Sequence, residues 1–307
     1  MTRKIFLDTD IGSDIDDVLC LTYLLNNPDC DLLGITMVTG EAEKRAKIAR
    51  KLCSDANKKI PVVSGRSEPL IIPQYQRFAD QARVVEYWND NMEDQTLNAI
   101  DFMRRSIREN PHEVTLLAIG PLTNVALLFL VDPEIPSLLD GLMVMCGSFY
   151  STSLKTITME WNAICDPHAT EIVYRTPIQN HYSVGLDVTQ KVTMSPDEFR
   201  DKFSRDSLYR VLDYAEIWLQ KRDLVTFHDP LAAAAIFEPE IVRFEQGIVT
   251  VDLGNKRTMG LTDFTPVSGG PHFVANDTNA EAFFHHFFSQ SRMLPETNSE
   301  TTIGMLR

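Results

Sequence analysis

Apolar and polar positions follow two rhythms along the first two-thirds of the chain. Short apolar runs of strand length fall at 5–7, 32–38, 61–64, 114–119, 141–145 and 182–186. Between them lie longer stretches in which apolar residues recur every three or four positions. These predict helices over roughly 16–25, 42–53, 97–108, 122–131 and 166–174. The strand runs are mostly apolar rather than strictly alternating, as expected for strands buried on both faces. Strand, helix, strand in succession predicts a parallel sheet with helices on both sides. From Ser195 the pattern becomes mainly helical. Ser195-Pro196-Asp197-Glu198 opens one helix with proline in its first turn, 207–221 reads as a second, and a third starts at His228. Segment 241–251 predicts a hairpin turning near Gln246-Gly247, 279–288 a closing helix, and the last ten residues a frayed end. There is no internal repeat, low-complexity tract or Gly/Ser linker. The expectation is one α/β domain over 1–307: an open, mostly parallel, Rossmann-like sheet with extra helices in the C-terminal half.

Composition narrows the function classes. The 307 residues are 44% hydrophobic and 23% charged, ordinary values for a globular chain and wrong for a disordered or fibrous one. Lys plus Arg is 29 against 43 Asp plus Glu, a net charge of −14. Such a surface repels phosphate backbones and anionic lipid, so neither nucleic acid nor membrane is an expected partner. No apolar stretch reaches the ~18 residues of a spanning helix. The N-terminus, Met1-Thr2-Arg3-Lys4-Ile5-Phe6-Leu7-Asp8, turns acidic at once and does not read as a signal peptide. Cys20, Cys30, Cys53, Cys146 and Cys165 are odd in number and form no CxxC pair, so they read as reduced thiols of a cytoplasmic protein.

The densest chemistry follows the first strand. Asp8-Thr9-Asp10-Ile11-Gly12-Ser13-Asp14-Ile15-Asp16-Asp17 carries five carboxylates in ten residues, at the carboxyl end of a strand, where parallel sheets bind ligands. Helix capping and dipole compensation account for one or two of them. The rest repel one another unless a cation is present. An all-oxygen donor set suits Ca²⁺ or Mg²⁺ rather than zinc. An EF-hand beginning at Asp8 would need Gly and Glu where the chain has Ser13 and Leu19. A haloacid-dehalogenase-like phosphatase, with Asp-x-Asp after its first strand and Mg²⁺, is an alternative enzyme class.

Three later segments could converge on that loop. Phe227-His228-Asp229-Pro230 sets an imidazole beside a carboxylate at a helix start, although an Asp cap before a first-turn Pro is common on its own. Glu160-Trp161-Asn162 reads as an extended segment with Glu160 and Asn162 on one side, able to grip hydroxyl groups, and Asp166-Pro167 as a helix start. Gly120-Pro121-Leu122-Thr123-Asn124 follows a strand and opens a helix, with carbonyls facing the ligand edge.

These four segments, in this order from Lys4 to about Ala235, resemble the inosine-uridine preferring nucleoside hydrolases. The resemblance implies an open, mostly parallel sheet holding one Ca²⁺ at its carboxyl edge. It also implies hydrolysis of the N-glycosidic bond of ribonucleosides to ribose and free base, in purine or pyrimidine salvage or catabolism, by a homodimer or homotetramer. Asp10 is then similar to the family's calcium ligand and general base, Asp17 to its bidentate ligand, Thr123 to a ligand through its backbone carbonyl, and Asp229 to the ligand from the far helix. Asp16, Glu160 and Asn162 look like ribose contacts, and His228 like the histidine that protonates a leaving purine. The chain departs from the family pattern in places. The motif Asp-x-Asp-Pro-Gly-x-Asp-Asp is two residues longer here, Ile11 replaces Pro, and Asp14 has no counterpart. Glu41 and Leu154 stand where many members carry Asn, and a His-Gly loop is replaced by Ile72-Pro73-Gln74-Tyr75-Gln76-Arg77. Glu41 joins the substrate-side candidates by position. Trp161 joins them as a base-stacking aromatic, with Tyr75, Tyr87, Trp88, Tyr214 and Trp218 as further aromatics of that kind. The changed positions leave open a ribose- or nucleoside-binding protein without turnover.

Overall fold

The computed structural model describes residues 2–90, 98–150, 158–204, 208, 210–220 and 222–291. One unit, a strand running into a helix, repeats through its first half. β1 (Arg3–Thr9) leads to α1 (Asp16–Asn26), β2 (Cys30–Met37) to α2 (Ala42–Asp55), and β3 (Val62–Ser64) through a 3-10 turn at Asp80–Val85 to α3 (Ala99–Glu109). β4 (Val114–Ala118) leads to α4 (Thr123–Val131) and α5 (Ile135–Leu138), and β5 (Gly141–Val144) to α6 (Trp161–Cys165) and α7 (Pro167–Arg175). After β6 (His181–Ser183) come α8 (Leu186–Thr189), β7 (Thr193–Met194), α9 (Pro196–Phe203), α10 (Val211–Leu219), β8 (Val225–Thr226) and α11 (His228–Phe237). The chain then forms β9 (Val242–Val251), β10 (Thr262–Pro266), β11 (His272–Thr278) and α12 (Ala280–Ser291).

Among the described residues nine strands form one sheet, in the order β10-β9-β11-β6-β5-β4-β1-β2-β3. From β11 to β3 every neighbouring pair is parallel, while β9 runs antiparallel to both β11 and β10. The unbroken apolar runs are explained by β1, whose Ile5 and Leu7 enter one core layer while Phe6 enters the other. The first layer packs α1, α2, α11 and α12, and the second packs α3, α4 and α7. Helices thus cover both faces, as the parallel sheet requires. All five cysteines are buried and unpaired.

The C-terminal third departs from the expected pattern. Segment 242–251 is one continuous strand, not a hairpin, and Gly247 sits mid-strand, opposite Pro266 on one side and His272 on the other. A Cβ on Gly247 would lie 2.4 Å from the Phe264 ring, so this glycine marks a close approach rather than a turn. β10 and β11 extend the sheet in a stretch for which no strand was expected. Segment 182–186 ends as a strand at Ser183, and Leu186 starts α8. Leu97, Leu154, Ser207, Lys221 and the last ten residues lie outside the described residues.

Candidate active site

The carboxyl ends of β1, β4, β5 and β6 open onto a cavity of about 420 Å³, which the start of α11 also lines. Its position is where the reversal of strand order in an open α/β sheet leaves a crevice, and its size suits a small molecule. Asp10 follows β1 directly. Gly12 then takes φ +119, a conformation that side chains rarely adopt, and turns the chain towards α1. Asp14 folds back on the start of that helix, accepting a hydrogen bond from the Ile15 backbone N–H at 2.5 Å. Asp16 and Asp17 therefore fall in the first turn of α1, where its positive end favours anions. Gly120, after β4, is needed for the same packing, because a Cβ there would sit 2.8 Å from Asp10 Oδ1.

Asp16, Asp17 and Asp229 come together as one buried group, with a carboxylate oxygen from each lying within 4.8 Å of the others. Burial, and then the charges of Asp14 and Asp17, pushes the carboxyl of Asp16 well above its usual range, and burial followed by Asp16 and Asp17 does the same to Asp229. Burial and then Asp10 do the same to Asp17, against the hydrogen bond it accepts from the Thr9 hydroxyl. Asp10 lines the same cavity and is raised chiefly by burial, which the neighbouring Arg45 guanidinium partly opposes. Three buried carboxylates at this separation, made wholly of oxygen donors, fit a hard divalent cation, whose charge would relieve both the repulsion and the desolvation. Asp229 is not the cap of its helix. Phe227 takes that position, and His228 and Asp229 form the first turn, pointing a second helix N-terminus at the cluster.

The remaining candidates separate by location. Glu160 is the N-cap of α6 rather than part of an extended segment. Its carboxylate accepts from the backbone N–H groups of Asn162 at 2.6 Å, Ala163 at 2.9 Å and Gly147 at 3.1 Å, yet burial still raises its pKa. Asn162 gives its side-chain amide hydrogens to the carbonyls of Ile119 and Met145, which leaves only its Oδ1 to offer a ligand. Both residues line the cavity, as do Asp16, Trp161 and His228. Burial pushes the His228 imidazole down to about 4, and its Nδ1 lies 2.7 Å from the Thr189 hydroxyl. Thr123 is buried at the start of α4, its hydroxyl donating to Asp166, and it is not among the cavity-lining residues. Asp166 caps α7, as its Asp-Pro sequence predicts.

Glu41 is not brought to the cavity. It pairs with Lys44, accepts a hydrogen bond from the Ala79 backbone and lines a separate surface pocket. Of the six candidate aromatics only Trp161 and Trp218 reach the cavity wall, while Tyr75 and Tyr87 are exposed and Tyr214 is buried in the core.

Two residues at the site were not anticipated. Arg45, fully buried on α2, donates from Nη1 to the carbonyls of Asp10 and Ile11 and to the Ser13 hydroxyl. Its other nitrogens donate to the carbonyls of Gly40 and Phe78. One guanidinium thus fixes the main chain of the acidic loop and places a positive charge beneath it. The signal was present: Arg45 stands on the stripe of Ala42, Ala49 and Leu52, the buried face of an amphipathic helix. Gln76 lies in the 65–79 loop, which has no periodicity to read, and it contacts Asp10 directly.

Comparison with known proteins places this architecture. Residues 5–285 match the family described as inosine-uridine preferring nucleoside hydrolase. A uridine nucleosidase of Arabidopsis thaliana is 29% identical over 267 residues, covering 81% of this chain and 78% of that protein. A non-specific ribonucleoside hydrolase of Shigella flexneri is 30% identical over 301 residues, covering 92% and 96%. Among solved structures, a plant nucleoside hydrolase superposes with a TM-score of 0.83 at 24% identity, covering 96% of this chain and 100% of the other. Neither the phosphatase alternative nor any zinc or redox class is needed to account for the site. The chain belongs to the inosine-uridine preferring nucleoside hydrolase family, and is an enzyme of that class.

Proposed function

We propose that the protein is a Ca²⁺-dependent N-ribohydrolase that splits ribonucleosides into ribose and free base, the whole chain working as one domain. The buried Asp16–Asp17–Asp229 group in a nucleoside-sized cavity carries this reading. Asp17 and Asp229 would hold the ion, with Asp10 and the Thr123 backbone carbonyl completing the set. Asp16, within the same 4.8 Å, is available both to the ion and to the ribose diol. Bound there, Ca²⁺ supplies orientation of water and hydroxyl groups and lowers the pKa of that water.

The chain's own residues account for the rest. Asp10 takes a proton from the attacking water as the water oxygen bonds to the anomeric carbon. The C–N bond breaks with its electron pair leaving on the base, which then acquires a proton. Positive charge builds on the ribose in that transition state, and the carboxylate-rich wall stabilises it. Glu160 and the Asn162 Oδ1 orient ribose hydroxyls. His228, neutral at ordinary pH, offers a ring N–H to the departing base when its Nδ1 accepts from Thr189. Trp161 and Trp218 supply aromatic surface for the base. A cytoplasmic place in nucleoside salvage or catabolism, and a homodimer or homotetramer, belong to the same reading. Among the described residues no helix is long and apolar enough to cross a membrane.

The test is reducing-sugar release from inosine, adenosine, guanosine, uridine, cytidine and nicotinamide riboside, with Ca²⁺ and with chelator. Release that chelator abolishes and Ca²⁺ restores is the expected result. Release that survives exhaustive chelation would refute the metal assignment, and no release from the folded, Ca²⁺-loaded protein would refute the activity.

A further inference from the structure

The acidic loop's general-base candidate has a hydrogen-bond partner in the 65–79 loop. Gln76 donates from Nε2 to Asp10 Oδ2 at 2.5 Å and to the Ser13 hydroxyl oxygen at 2.9 Å. Its Oε1 accepts from the Trp161 indole N–H at 2.7 Å. An indole nitrogen can only donate, so it must face the oxygen of the Gln76 amide and not its NH₂. Trp161 therefore sets the sense of that amide and turns the NH₂ towards Asp10. The backbone of Gln76 is held as well, its N–H donating to Gln74 Oε1 at 2.8 Å, while Gln74 accepts from the Thr39 hydroxyl. Ser13 is fixed in turn by Arg45 Nη1 at 3.0 Å. On the other side of the Asp10 carboxylate, Oδ1 lies so close to Gly120 that no side chain fits between them.

We propose that Gln76 is a positioning residue for the Asp10 carboxylate, with Trp161 orienting the Gln76 amide. The inference rests on the hydrolase reading above, in which Asp10 accepts the proton of water. A carboxylate pinned by one oxygen presents the other in a fixed direction, and proton transfer needs that direction. The position belongs to the stretch where this chain carries glutamines in place of a His-Gly loop, so the arrangement is a property of this sequence. A residue that only tied the 65–79 loop to the sheet would not need its amide sense fixed.

Three variants separate the two roles. Gln76→Glu keeps the length and the acceptor for Trp161 but removes the donor to Asp10. Gln76→Met removes both without adding charge. Trp161→Phe keeps a ring and loses the N–H. In folded Gln76→Glu and Gln76→Met, kcat on the best nucleoside should fall roughly 10- to 100-fold, the range for a lost hydrogen bond to a charged group, with KM moved less than about threefold. Trp161→Phe should lower kcat less, and its effect should largely vanish in a Gln76→Met background. A kcat within about threefold of wild type in both Gln76 variants, or a rise in KM alone, would overturn the proposal. A second readout needs no turnover. With glutamine side chains labelled with ¹⁵N, one amide proton should be displaced downfield by the short bond to the carboxylate and return to the usual range in Asp10→Ala. An unchanged Gln76 amide in Asp10→Ala would overturn the proposal even if wild type hydrolyses nothing, an outcome that would instead count against the hydrolase reading.

Discussion

Asp229→Asn should make the metal-free protein more stable while removing its response to Ca²⁺. Each pair in the Asp16–Asp17–Asp229 group lies within 4.8 Å, so two ionised members repel by about 3.5 kcal/mol at an effective dielectric of about 20. Neutralising Asp229 removes two such pairs, about 7 kcal/mol if all three were charged. Protonation sets a lower ceiling. Holding a proton on a carboxyl of ordinary pKa 3.8 costs about 1.4 kcal/mol per pH unit, hence about 6 kcal/mol at about pH 8 and under about 2 at about pH 5. A mismatched buried amide takes back about 1–3 kcal/mol. The net gain is about 3–5 kcal/mol near pH 8 and about zero near pH 5. For 307 residues that corresponds to a Tm higher by roughly 5–8 °C at the alkaline end only. The sign follows from the direction of the shifts. These carboxyls bind protons more tightly folded than unfolded, so their penalty is absent below pH 3.8 and accrues as pH rises through the folded values. It accrues up to about 7 for Asp14, and the cluster carboxyls are displaced in the same direction by burial. Saturating Ca²⁺ should reverse the slope in wild type, adding about 2.7 kcal/mol at a hundred times Kd, and leave Asp229→Asn unmoved. Differential scanning fluorimetry with EDTA or Ca²⁺ across this pH range measures all four cases. A variant less stable than metal-free wild type at both ends of the range would refute the reasoning.

Asp10→Asn should lower kcat by roughly 10²–10⁴ with Tm little changed, measured by ribose release. The His228 imidazole should stay neutral down to about pH 5, so its Cε1 proton should show no NMR titration near the usual 6.5. Since its folded pKa is depressed, His228→Gln should relieve the stability wild type loses as pH falls from 6.5 towards 4, read as a smaller acid-side drop in Tm. Arg45→Met should destabilise by roughly 3–5 kcal/mol in chemical denaturation, because five carbonyl or hydroxyl acceptors lose their donor beneath the acidic loop.

The parallel half of the fold was legible because burial on both faces leaves no ambiguity of period: residues 5–7 of β1, 116–118 of β4 and 142–144 of β5 are apolar and buried at consecutive positions. The C-terminal strands were not, since β9 reads Val-Arg-Phe-Glu-Gln-Gly, where a mid-strand glycine imitates a turn and the partner strands lie well along the chain. Convergence of the acidic loop on Asp229 came from the family resemblance, not from periodicity. No rhythm in the sequence connects residue 17 to residue 229. Glu160 shows the limit of a local reading. Its neighbours suggested an extended segment, yet Glu160 caps α6, and three backbone N–H groups fix its carboxylate at the cavity wall.

Asp14 tests how the longer loop keeps the site intact. Two extra residues in a tight turn would normally swing Asp16 and Asp17 away from Asp229. Here Gly12 takes up the reversal at φ +119, and Asp14 bonds to the Ile15 N–H, so α1 begins with its carboxylates facing the cluster. The insertion has been absorbed ahead of the helix rather than within it. Asp14 is itself cavity-lining and is raised to about 7 by burial. Asp14→Ser, which keeps a short side-chain acceptor for the Ile15 N–H without the charge, should therefore retain the Ca²⁺-dependent rise in Tm, whereas Asp14→Ala should weaken it by about 0.5–2 kcal/mol through a loosened helix start. Equal loss of the Ca²⁺ response in both variants would mean that Asp14 acts through its charge on the ion and not through the turn.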